Sequence, residues 1–232
     1  MYKSFRKQRN AKIIRGDKNM GLIRARNENE IKERKREILS AAKEIVMEQQ
    51  YAELSLASVA KRISISRPSL YNYYDSPEEI YVDLIIQEYA LWEEDMRRCF
   101  TRRLSKEAFC RKMADLMWDH MFLLKILAYH ASSLESRCSD ELLHRYFSEI
   151  QPYFRTLSEV LKYEFPDASK QDLDMFRIQF TVYCNSFYIV MKLPERQVRL
   201  MQELDQFGDL PPAKEICYEG LLLFAANLEE IK

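Results

Sequence analysis

Residues 55–74, SLASVAKRISISRPSLYNYY, read as two short helices joined by a tight turn. Ser55 is placed to cap a helix running to about Ile63, and Ser66 to cap a second one from Arg67. Pro68 falls in the first turn of that second helix, where its missing N–H costs nothing. Val59, Ala60, Ile63, Ile65, Leu70 and Tyr74 are expected to point inward and hold the pair together. Arg67, Ser69, Tyr71, Asn72 and Tyr73 remain to face outward. A compact set of hydrogen-bonding side chains with no carboxylate suits a helix laid in a DNA major groove. Ser76 and Glu79, spaced as a capping box, with Pro77 at the first helical position, start a third helix sharply after Tyr74.

Upstream, Ile31, Ile38, Ala42, Ile45 and Val46 recur at helical spacing and predict a first helix over residues 30–50 with one buried stripe. Taken together, REILSAAKEIVMEQQY and SLASVAKRISISRPSLYNYYDSPEEIY resemble the N-terminal domain of the tetracycline-repressor (TetR) family of bacterial transcription regulators. The likeness covers roughly residues 31–85. Two positions depart from the family pattern. Ser64 stands where the family has a turn glycine, so the turn must form without a glycine's freedom. Pro77 stands where the family often has a phosphate-contacting lysine, which leaves the helix N-terminal amides to do that work.

The resemblance implies an all-α protein. Its domains are expected to be a basic arm (1–29), a three-helix helix-turn-helix DNA-binding domain (30–76) and a helical regulatory and dimerisation domain (77–232). The DNA-contacting set is Arg67, Pro68, Ser69, Tyr71, Asn72 and Tyr73, with Ser55 and Arg34. Arg67 is suited to guanine O6 and N7, Pro68 to a thymine methyl and Asn72 to an adenine. By resemblance, Ser69, Tyr71 and Tyr73 are phosphate contacts, which position without specifying.

Charge agrees with this division. The net charge of zero conceals 17 Lys+Arg against 8 Asp+Glu in residues 1–74, and 19 against 28 in the remainder. Phosphate binding needs that asymmetry. The four glycines, Gly16, Gly21, Gly208 and Gly220, build no phosphate-cradling loop, so nucleotide-binding motifs are excluded. Five cysteines without a CxxC pair speak against zinc ribbons and for a reduced, cytoplasmic setting. His120, His130 and His144 have no metal-site spacing. No enzyme, cofactor, metal or membrane span is expected.

From Pro77 a long helix to about residue 100 is expected to turn Ile80 and Leu84 toward the DNA-binding domain, and Leu91, Trp92 and Met96 toward a second core. Further helices are predicted at about 105–117, 118–133, 139–164 (bent near Pro152), 169–192 and 213–230. Large soft side chains recur there, and such residues line adaptable apolar pockets. Trp92, Met96, Met117, Met121, His130, Phe147, Phe180 and Tyr183 form the expected ligand-binding set. The helices at 169–192 and 213–230 carry apolar residues on more than one face, and Gly220 permits close approach, as in the paired helices through which the family dimerises. The expected function is a repressor that binds a palindromic double-stranded DNA operator as a homodimer and is released by a small apolar or aromatic effector. The alternative is a DNA-binding regulator with a protein partner or no effector.

Overall fold

Ser–x–x–x patterns open most helices of this chain, and the structure shows why. In the computed structural model, which describes residues 28–48, 54–193, 195–204 and 211–228 (only the backbone at 130–133, 135 and 190), Ser55, Ser66, Ser105, Ser139 and Ser169 each accept a backbone N–H three residues on. Each cap satisfies one of the N–H groups that a helix start leaves orphaned. The described helices are α1 (28–48), α2 (Leu56–Arg62), α3 (Arg67–Leu70), α4 (Pro77–Cys99), α5 (Lys106–Asp119), α6 (Met121–Arg137), α7 (Asp140–Glu164), α8 (Lys170–Met191), α9 (Glu195–Glu203) and α10 (Ala213–Phe224). The described residues contain no strand. The basic arm lies outside them, apart from its last two residues, which begin α1.

The chain divides into two compact units between Ile80 and Tyr81. In the first, Ile38, Ala41, Ala42, Ile45 and Val46 of α1 are buried together with Leu56, Val59 and Ala60 of α2 and Leu70 and Tyr74. Ile63 and Ile65 are half-buried. Ile31, expected in the stripe, is exposed. Arg62 ties α2 to α1 by a two-pronged bond to Glu48 (2.8 and 2.6 Å) and a third to Glu44 at 3.2 Å.

The turn after α2 is closed by two reversed bonds. Ser64 N–H donates to the Lys61 carbonyl (3.3 Å) and Ile65 N–H to the Ala60 carbonyl (3.0 Å). This 5→2, 6→1 pair needs a left-handed residue between helix and loop. Ser64 supplies it with φ of 56°. A side chain in that region costs roughly 1–2 kcal/mol, which glycine avoids. Ser64→Gly should therefore raise unfolding stability by about 0.5–1 kcal/mol, the gain being trimmed by glycine's freer unfolded chain. Ser64→Ala, which keeps the Cβ, should not. Urea unfolding of the three proteins checks this.

In the second unit, α8 packs against α6, α7 and α10, and α10 against α5. Its centre is a row of aromatic rings. Phe100 meets Phe109 (5.4 Å), Phe109 meets Phe176 (5.9 Å), Phe176 stacks on Phe180 (6.1 Å), and Phe180 sits edge-on to Trp92 (6.0 Å). Offset and edge contacts of this kind add to simple area burial. Leu91 does not join this core; it is exposed. The predicted boundary near residues 117 and 118 falls at His120 instead, whose N–H still reaches the Leu116 carbonyl (3.0 Å). α6 runs on to Arg137, and α10 stops at Phe224, followed by a turn. α9 was not anticipated from the sequence. None of its residues is buried, so it lacks the core-facing stripe by which helices are recognised.

Candidate nucleic-acid interface

The outward face of the first unit is built from the capping of α3. Ser66 Oγ accepts the Ser69 N–H (3.2 Å) and lies 2.7 Å from Ser69 Oγ. Pro68 holds the first turn without needing a donor. The α-helix itself covers only Arg67–Leu70. Tyr73 N–H then bonds to the Leu70 carbonyl (2.9 Å), so Tyr71, Asn72 and Tyr73 continue as a tightened turn on the same helical path. The expected recognition helix is thus shorter than its sequence pattern.

Leu70 and Tyr74 are buried beneath this segment, while Arg67, Pro68, Tyr71 and Asn72 are exposed and Ser69 and Tyr73 half-buried. The structure brings six expected contacts onto one short segment with no carboxylate between residues 54 and 74. Arg67 Nη2 donates to Tyr71 Oη (3.1 Å) and its guanidinium carbon lies 5.7 Å from the Tyr71 ring centre. Ser55 is exposed, but its Oγ is engaged in a capping box with Ser58. Arg34 pairs with Glu37 at 2.5 Å, one turn along α1. Exposed pairs of this kind are worth little, so a phosphate can compete for the arginine. Arg62 differs: its two carboxylate partners hold it on α1 and raise its pKa.

Lys35 stands beside Arg34 in the basic start of α1, a run suited to phosphate, and its ammonium lies 4.7 Å above the Tyr74 ring. A cation on the face of a buried tyrosine is a favourable, local way to fix a basic side chain near the recognition segment. The basic run is legible in the sequence; the pairing with Tyr74, 39 residues on, is not.

The expected ligand set is split by the second unit. Trp92, Met96, Met117 and Phe180 are fully buried. Met121 is half-buried, and the His130 side chain lies outside the described residues. Phe147 does not join them: it is 57% exposed and packs against Tyr146 (4.9 Å). Tyr183 is half-buried and donates its hydroxyl to the Ile216 carbonyl of α10 (3.3 Å). Gly220 makes room for that ring, since a Cβ there would stand 3.0 Å from Tyr183 Oη. The close approach expected of Gly220 therefore operates within one chain.

A polar group that the sequence did not flag sits beside Trp92. His120 stacks on the indole (5.1 Å, 12°), and its Nε2–H donates to Asp95 Oδ2 (3.0 Å). Burial lowers the His120 pKa, and Asp95 counters this only in part. The Trp92 indole N–H is buried without an acceptor among the described residues. An unpaired buried donor costs about 1–3 kcal/mol. Its signal in the sequence was absent, because His120 and Asp95 are 25 residues apart. Among the described residues no cluster of His, Cys, Asp or Glu is placed to hold a metal ion. No described helix is long and apolar enough to cross a membrane.

Comparison with known proteins places these features. A family model described as bacterial regulatory proteins, tetR family, matches residues 38–84. A second, described as tetracyclin repressor-like, C-terminal domain, matches residues 86–211, more than half the chain. No curated protein matches significantly. Among solved structures, the fatty acid degradation regulator FadR of Bacillus halodurans is 14% identical with a TM-score of 0.55, over 85% of this chain and 97% of that one. A TetR-family transcriptional regulator of Mesorhizobium loti is 10% identical with a TM-score of 0.56, over 84% and 96%. FadR of Bacillus subtilis, solved in complex with stearoyl-CoA, is 18% identical with a TM-score of 0.54, over 83% and 98%. Likeness at these identities shows the shared fold. With family models matching both the helix-turn-helix unit and the larger helical unit, the chain belongs to the TetR family of DNA-binding transcriptional regulators.

Proposed function

We propose that the protein is a repressor: a homodimer that binds a palindromic operator and leaves it when a small, mostly apolar ligand occupies residues 77–232. One observation carries the dimer. Met175, Ile178, Val182 and Ile189 form an exposed apolar stripe along α8, at 43–62% exposure, and Leu223 of α10 is 75% exposed. A stripe of that length on a helix whose other faces already pack on α6, α7 and α10 calls for a second copy. One recognition segment per chain, doubled by two-fold symmetry, matches half-sites about 34–36 Å apart.

Arg67, Pro68 and Asn72 read bases in this scheme, while Ser69, Tyr71 and Tyr73, with Ser55 and Arg34, hold phosphates. The ligand reading rests on Trp92, Met96, Met117 and Phe180, a core of soft side chains around a donor that lacks an acceptor among the described residues. It favours an apolar molecule bearing one oxygen acceptor. The relative solved with stearoyl-CoA supports a ligand with a long acyl chain in this fold. α4 is continuous from Pro77 to Cys99, so a displacement at Trp92 is transmitted along a hydrogen-bonded rod.

The test titrates stearoyl-CoA, and the free fatty acid, against protein alone and against protein on a duplex selected from a random-sequence pool. Reciprocal coupling requires the duplex to weaken ligand binding by the factor with which ligand weakens DNA binding, typically about 5–150-fold. Binding of equal strength in both titrations would exclude these compounds as inducers. The same result across further acyl and aromatic probes would favour the effector-free regulator.

A further inference from the structure

Arg67 and Tyr71 are four residues apart, the spacing at which side chains on a helical path meet. The guanidinium donates one N–H to the tyrosine oxygen at 3.1 Å. A guanidinium has five N–H groups, so four remain, enough for a two-pronged contact with a guanine edge. The tyrosine oxygen, having accepted that bond, still has its own O–H to donate. Tyr71 is 43% exposed, so that O–H is open to a partner outside the chain. Accepting from a cation polarises the O–H and strengthens it as a donor.

Resting on the operator reading above, we propose that Tyr71 is a positioning residue for base recognition. Its hydroxyl donates to a backbone phosphate while holding the Arg67 guanidinium in its base-reading direction. One oxygen thereby couples the register on the phosphate backbone to the choice of base. A plain phosphate contact affects all sequences alike. A hydroxyl that also aims Arg67 affects most the sequence that Arg67 reads. Arginine has a large rotamer freedom to lose on binding, and the Tyr71 bond restricts it beforehand.

The experiment is a double-mutant cycle read as discrimination between two duplexes. The first is the tightest duplex that the wild-type protein recovers from a random pool. The second differs from it at the base pair whose recognition Arg67→Ala abolishes. Wild type should prefer the first by roughly 5- to 150-fold per half-site. Tyr71→Phe, which keeps the exposed ring and so the fold, should weaken the first duplex more than the second, cutting that preference by roughly 2- to 10-fold. In the Arg67→Ala background the same substitution should leave the residual preference unchanged. Tyr73→Phe should weaken both duplexes alike. Equal weakening of both duplexes by Tyr71→Phe would overturn the positioning role, as would an unchanged effect on preference in the Arg67→Ala background. Failure of the wild-type protein to recover any duplex would instead sink the operator reading on which the proposal stands.

Discussion

Val182→Asp should convert the proposed dimer to monomer at micromolar concentration and weaken binding to its selected duplex by at least about 100-fold. Val182 is 62% exposed in the single chain and lies mid-way along the apolar stripe of α8. In the free chain the new carboxylate stays in water, so folding should be nearly unaffected. In a two-fold interface the substitution appears twice, against the same apolar patch. An uncompensated buried charge costs about 3–5 kcal/mol, so the pair is enough to dissolve a micromolar dimer. Loss of the dimer separates the two recognition segments, and each half-site must then be bound alone. Sedimentation equilibrium and fluorescence anisotropy on the selected duplex read the two effects. A variant that stays dimeric with unchanged DNA affinity would place the interface elsewhere.

Phe180→Ala should cost about 3–5 kcal/mol of unfolding free energy, whereas Phe147→Ala should cost no more than about 0.5 kcal/mol. Phe180 is fully buried, stacked on Phe176 and edge-on to Trp92, so truncation leaves a cavity that its neighbours fill only in part. Phe147 is 57% exposed and loses mainly its contact with Tyr146. Urea unfolding midpoints at constant slope measure the difference. Similar shifts for the two variants would contradict the burial pattern. The contrast matters for function as well. A ligand among Trp92, Met96, Met117 and Phe180 must displace well-packed side chains, so its affinity is reduced by the cost of opening that core.

These two phenylalanines also mark where sequence reasoning reached its limit. Phe147 lies on α7 and Phe180 on α8, and both belonged to the expected ligand set. Periodicity says that a residue shares a face with its neighbours three and four positions away. It does not say which of two apolar faces meets the core. Ile31 and Leu91 failed in the same way, each in register with a buried stripe yet exposed. Tyr183 and Gly220 belong here too, since their contact spans α8 and α10 and answers to no local rule.

What the sequence determined by itself was local in physical origin. Serine caps, Pro68 and Pro77 at helix starts, and the carboxylate-free recognition segment act over three or four residues, so their spacing alone carries the information. Those spacings were enough for the family, the all-helical class and the outward placement of Arg67, Pro68, Tyr71 and Asn72. The tertiary structure decided the rest, because burial is settled between segments distant in the chain. It set the aromatic row from Phe100 to Trp92 and the His120–Asp95 bond beside an indole that has no acceptor among the described residues. Packing free energy is gathered over many weak contacts between segments far apart in the chain, and no local spacing records which of them will meet.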